Sequence, residues 1–225
     1  MTASTSGGVP LRAMGDSNRW PAIAGILFVP LFVVAMLMHA PGVPDTDEPI
    51  AEWAKWVNDG GNQALALISA YLFVLAAVAF VAFSLGVGRR IRNAGSDSTV
   101  AAGAVVGLSV LGSVLLIVGG MALNAGPISY LFDDNLPDPT DVVVFTQSMS
   151  IGYGSILVGA AISFAAAIAI ASTALRNAMP RWFTIAGFVA AIVLLASVIF
   201  IPIVVLPLWV LGASILMLRR TRVPA

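Results

Sequence analysis

ALALISAYLFVLAAVAFVAFSLGVG, residues 64–88, runs for 25 positions without a charged side chain, and Arg89, Arg90 and Arg92 follow it at once. About 20 apolar residues at 1.5 Å each cross the roughly 30 Å of hydrocarbon in a bilayer. An extended chain there would leave its backbone N–H and C=O groups unpaired, so the run is read as a helix despite its β-branched and aromatic content. Five more stretches have this character, and the six spans fall over 20–38, 64–88, 100–123, 148–175, 182–199 and 203–218. The first is too long for a signal-peptide core and lacks a good cleavage site, so it counts as a membrane span.

The charges sort the connections between these spans. Arg12, Arg19, Arg89, Arg90, Arg92, Arg176, Arg181, Arg219, Arg220 and Arg222 all lie on one side, and the alternate side holds only Lys55. Nine of the eleven acids (Asp45, Asp47, Glu48, Glu52, Asp59, Asp133, Asp134, Asp138 and Asp141) lie on the side of Lys55. Basic loops stay in the cytoplasm. The expected architecture is therefore an all-α, polytopic bundle of six transmembrane helices in the inner membrane, with both termini inside. Residues 1–18 read as a polar, disordered cytoplasmic tail, 19–219 as one transmembrane domain and 220–225 as a basic tail. With 59% hydrophobic and 10% charged residues, this surface does not face water.

Two spans need further reading. Residues 182–218 form one apolar stretch, split at Pro202 and Pro207 into a tight hairpin because proline removes a backbone donor. A single kinked helix would carry Arg219, Arg220 and Arg222 to the wrong side. The fourth span extends back to an N-cap expected at Asp141, giving about 50 Å of helix. Either its first turns stand above the membrane or it bends near Gly152 and Gly154.

The first outer loop holds a short amphipathic helix, with Ile50, Trp53, Trp56 and Val57 on one face and Glu52, Lys55 and Asp59 facing away. Trp53 and Trp56 are expected as interfacial anchors, on a helix that lies on the outer leaflet, caps the bundle or lids a cavity. His39, Asn124, Gln147, Ser150 and Tyr153 gather near the outer helix ends as a candidate polar cluster. Asp133, Asp134 and Asp138 are candidate ligands for a hard divalent cation, in a run that reads equally as a solvated loop. Small residues at four-residue spacing, Gly103 and Gly107 in one span and Ser155, Gly159 and Ser163 in the next, suit close helix packing, within the chain or against a partner. Arg19-Trp20 opens one helix as Arg181-Trp182 opens another, a pattern of either duplication or a shared anchor.

What is missing narrows the chemistry. No cysteine is present, only one histidine, and no Asp, Glu, Lys, Arg or His in the middle of any span. Intramembrane charge marks proton relays, ion paths and intramembrane catalysis. The expectation is a non-enzymatic protein without a cofactor, an accessory or scaffold subunit of a larger envelope complex handling lipids. The alternative is a small permease or lipid flippase. Partners would be membrane lipids and either another membrane protein or a second copy, not nucleic acid.

The opening Trp20-Pro-Ala-Ile-Ala-Gly-Ile, Glu52-Trp53 followed by Asp59-Gly-Gly-Asn62, the Leu136-Pro-Asp-Pro turn, and Leu206-Pro-Leu-Trp209 with Arg219-Arg220 form a pattern. From Trp20 onward it resembles an uncharacterised group of small actinobacterial integral membrane proteins. The resemblance implies a six-helix membrane fold and carries no functional residues.

Overall fold

The computed structural model describes residues 19–39, 42–45, 47–94, 98–131, 138–199 and 201–220. The expected tail over 1–18 and most of the one over 220–225 lie outside these. Among the described residues the chain is helical, without a strand. The elements are α1 (Trp20–Met38), α2 (Ile50–Asn58), α3 (Gly60–Asn93), α4 (Ser98–Leu123), α5 (Ala125–Ser129) and α6 (Pro139–Tyr153), then α7 (Ala161–Ala174), α8 (Arg181–Leu195) and α9 (Val205–Arg220). A π-helical segment, Gly154–Ala160, joins α6 to α7.

Five of these rods are long and apolar enough to cross a membrane: α1, α3, α4, the continuous Pro139–Ala174 rod, and Pro202–Arg219. Helix α8 is apolar but shorter, at 15 residues. Outward positions such as Leu27, Leu75, Val78, Val114, Ile162 and Ile192 are exposed and apolar. A continuous apolar exterior of this kind is unstable in water and at home in lipid.

The long rods close into a ring. α1 packs on α3, α3 on α4, α4 on α7, α7 on α8, α8 on α9, and α9 back on α1. Neighbours run antiparallel: Gly25 of α1 meets Phe83 of α3, and Gly120 of α4 meets Phe73 of α3, at the opposite end. The interior is filled by aromatic rings. Phe32 touches Phe73 (6.4 Å between centroids) and Phe28 touches Phe80 (5.1 Å). Phe80 also meets Phe164 (4.4 Å), and Phe83 meets Trp209 (6.3 Å). These last two contacts join helices that are not neighbours around the ring, which places the column at its centre.

Glycine makes room for the rings. A Cβ at Gly112 would strike Phe164; one at Gly120 would lie 2.5 Å from Phe73, and one at Gly212 would lie 2.9 Å from Phe183. Where α4 crosses α6, backbone meets backbone: a Cβ on Gly119 would lie 2.8 Å from the Gly152 carbonyl oxygen, and one on Gly152 would lie 2.8 Å from the Leu123 nitrogen. The expected pair, Gly103 and Gly107, does not pack within the chain. Both face outward with open space where a Cβ would sit. The packing glycines do not repeat every four residues, since Leu116 lies between Gly112 and Gly120; they sit where the large side chains of α3 and α7 meet α4. In the following rod, Gly159 sits against Leu115 and Ser163 is buried, while Ser155 is only half-buried.

The last apolar stretch is two antiparallel helices, with Phe183 beside Gly212 and Gly187 beside Trp209. The break spans 3₁₀ turns at Ser197–Ile199 and Ile201–Val204, which contain Pro202. Pro207 does not break the chain; it sits in the first turn of α9, where a missing N–H leaves no intrahelical bond unmade. In the Pro139–Ala174 rod the first turns pack with α2 and α5, and α-helical geometry gives way to π-helix at Gly154.

Those first turns belong to a cap. Trp53 and Trp56 are 1% and 4% exposed, packed with Val57, Phe145 and Met149 into a second small core. They are therefore not lipid-facing anchors; their apolar face has α6 to bury against, and Ile50 alone of that stripe stays exposed. Two tryptophans that are exposed, Trp20 and Trp182, stand at the arginine-bearing end.

Glycine position decides stability in opposite directions. Gly119→Ala should cost about 1–3 kcal/mol, because a methyl is forced onto backbone. Gly107→Ala should be neutral or stabilising by up to about 1 kcal/mol, because alanine is the better helix former in open space. Denaturant unfolding in mild detergent reads both; equal losses would contradict the ring.

Candidate polar site at the acidic end

Three of the five residues expected in a polar cluster come together, and a fourth that the sequence reading did not single out joins them. α1 ends at Met38, placing His39 at the rim; α4 ends at Leu123, placing Asn124 beside it. Tyr153 is the last residue of α6. Asn124 is fully buried, and its Nδ2 donates to the Gly120 carbonyl (2.7 Å) and to Ser69 Oγ (3.2 Å). Ser69 Oγ in turn donates to the Ala35 carbonyl of α1 (2.9 Å).

With a neutral imidazole, these bonds set the direction of each proton. The Gly120 carbonyl can only accept, so the Asn124 amide nitrogen faces it and Oδ1 faces His39 Nδ1 at 3.5 Å. Oδ1 can only accept, so His39 carries its proton on Nδ1. His39 Nε2 is then a lone pair, and Tyr153 donates its hydroxyl to it at 3.3 Å. The chain of donors runs one way, from the half-exposed Tyr153 to backbone carbonyls of α1 and α4. It ties four rods at the same depth.

Gln147 and Ser150 do not join. Both are exposed on α6, and Ser150 donates back to the Thr146 carbonyl of its own helix. Ser69 could have been found: it is the one serine in the first half of the 64–88 run, and a buried hydroxyl in lipid needs a partner.

The cation candidates come apart. Asp133 and Asp134 lie outside the described residues. Asp138 is the N-cap of α6, accepting from the Thr140 and Asp141 amides, while the Asp141 carboxylate takes the Asp138 amide and the Tyr130 hydroxyl. The expected cap at Asp141 is thus one turn late: Pro139 starts the helix, and Asp141 closes a capping box from its third position. Among the described residues no three His, Asp or Glu side chains converge as metal ligands.

Among the described residues no carboxylate lies against His39. α1, α4 and α5 contain no charged residue, and Glu52 of α2 is spent on Lys55 at 3.9 Å. Burial therefore pushes its pKa below the usual 6.5, with the Asn124 bond opposing only in part. A neutral imidazole held between an amide and a phenol ties the ends of these helices together. Comparison of the chain with protein-family models, with curated proteins and with solved structures returns no match.

A depressed histidine pKa has a definite sign. The unfolded chain binds a proton near pH 6.5 and the folded chain does not, so stability is complete above pH 6.5 and falls as pH drops below it. Unfolding of the wild type and of His39→Gln across this window in detergent should show a loss on acidification that the variant lacks. Parallel profiles would contradict the assignment.

Proposed function

We propose that this chain is a multi-pass protein of the cytoplasmic membrane. In this reading it crosses six times, with α8 and its 3₁₀ extension as the short fifth crossing and the arginine-bearing ends inside. It acts as a non-enzymatic accessory or scaffold subunit beside a larger envelope complex, in keeping with the actinobacterial group it resembles. Lipid handling by that complex suits a subunit with small soluble loops.

The observation that carries this reading is the filled centre of the ring. A permease or flippase needs a continuous path between α1, α4 and the Pro139–Ala174 rod. Phe28, Phe80 and Phe164 occupy that space with mutual contacts at 5.1 and 4.4 Å. The spaces that border Trp209 are about 10 Å³ each, roughly one water. A protein closed inside exerts its effect through its outside. There the α4 face offers Gly103 and Gly107 open to a neighbouring helix, a geometry that lets membrane helices approach closely.

Gentle extraction of the tagged chain, followed by mass spectrometry of what co-purifies, tests the reading. A partner membrane protein should be recovered in stoichiometric amount, and Gly103→Leu with Gly107→Leu should reduce it. Recovery of the bare monomer in several detergents would contradict it.

A further inference from the structure

Gly112, Gly120 and Gly212 make room for aromatic rings, but Gly187 of α8 makes room for polar atoms. A Cβ there would strike Ser172 Oγ of α7 and lie 3.2 Å from Trp209 Nε1 of α9. Both atoms thus sit at the notch left by the missing side chain, one from each neighbouring helix. Thr184 stands one turn before Gly187 on the same face of α8. Ser172, Thr184 and Trp209 together line a cavity of about 10 Å³, and the rest of its wall is apolar.

The chain gives these atoms too few partners. Thr184 Oγ1 and Trp209 Nε1 are buried and make no hydrogen bond among the described residues. The indole is not free to turn towards another acceptor, because Phe183 stacks on it at 5.9 Å between centroids and Phe83 meets it edge-on at 6.3 Å. Thr184 finds the carbonyl one turn back already taken, since Pro180 accepts from the Phe183 and Thr184 amides. Ser163 and Thr173 bond to carbonyls of their own helix, whereas the Ser172 hydroxyl lies against α8. Polar groups buried without a partner are costly, the more so in a fold whose outside is apolar.

We propose that this cavity is the binding site of one internal water molecule, which joins α7, α8 and α9 through Ser172, Thr184 and Trp209. A space of about 10 Å³ admits a single water and nothing larger. An indole N–H can only donate, so the water oxygen accepts it. A hydroxyl accepts as well as donates, so the two water protons go to Thr184 Oγ1 and Ser172 Oγ. Three bonds are the usual complement of a buried water. The water pins the short rod α8 to both of its neighbours where Gly187 lets them approach, and one enclosed molecule opens no path through the ring.

A crystal structure of the wild type at a resolution that shows ordered water should place one within hydrogen-bond reach of all three atoms. Ultraviolet resonance Raman spectroscopy reads the same bond in solution, because the indole N–H band of Trp209, isolated by subtracting the spectrum of W209F, moves on hydrogen bonding. The band should lie at its bonded position in the wild type. It should shift to the free position in G187A, whose methyl group takes the place of the water, and in S172A/T184V, which leaves the water a single partner. Should G187A fail to fold, S172A/T184V carries the comparison alone, since neither of its changes adds bulk. A dry cavity, or a free N–H band in the wild type, would overturn the site. So would a bonded band that neither variant shifts, which would assign the indole to an acceptor within the chain.

Discussion

The fold depends on phenylalanine rings seated against glycines of neighbouring helices. In lipid there is no hydrophobic force to push apolar rods together, because an acyl chain is as good a neighbour as leucine. Contact area and shape have to supply the attraction. Phe73 on Gly120, Phe164 on Gly112, and Phe183 on Gly212 each bring a flat ring against bare backbone. Dispersion is weak per atom pair but large over a whole ring, and an empty lumen would forfeit it on every side. The same rings that draw the helices into a ring thus also occupy its centre.

Charged side chains are confined to the ends of the rods, while hydroxyls such as those of Ser109, Ser113 and Ser163 lie buried within them. At the acidic end a one-way chain of hydrogen bonds runs from Tyr153 through His39 and Asn124 to Ser69, tying four rods at one depth. Above it a second small core under α2 buries the two tryptophans of the first loop. At the other end Arg90 ties α9 to α3 through a backbone carbonyl and leaves the remaining arginines outward. One end is closed by contacts the chain makes with itself, and the other presents charge to whatever lies beside it.

The rods were legible in the sequence because lipid imposes a length on any span: 20–38 reads as a span and folds as Trp20–Met38, residue for residue. Their partners were not. Gly103-x-x-x-Gly107 has the spacing of a packing motif, yet it faces outward, while Gly112, Gly119 and Gly120 do the packing. Helical spacing says which residues share a face but not which face finds a neighbour. For Trp53 and Trp56 the capping alternative holds over the surface anchor, and pattern alone could not choose, since an amphipathic helix at a membrane surface and one capped by another helix look the same. The polar cluster was half legible: His39, Asn124 and Tyr153 lie at helix ends predictable from hydropathy. Ser69 sits a turn inside a span, where only the fold shows what it meets.

Since the chain has no cysteine, a single introduced thiol reports its own surroundings. The decisive measurement is labelling by a membrane-impermeant maleimide of cysteines placed singly at Asn58, Asn93 and Leu116, in spheroplasts and in inside-out vesicles. The account predicts that Asn58→Cys reacts only in spheroplasts and Asn93→Cys only in inside-out vesicles. Leu116→Cys, buried in the ring, should react in neither until the protein is denatured. Labelling of Asn58→Cys and Asn93→Cys from the same side, or of Leu116→Cys in the folded protein, would contradict it.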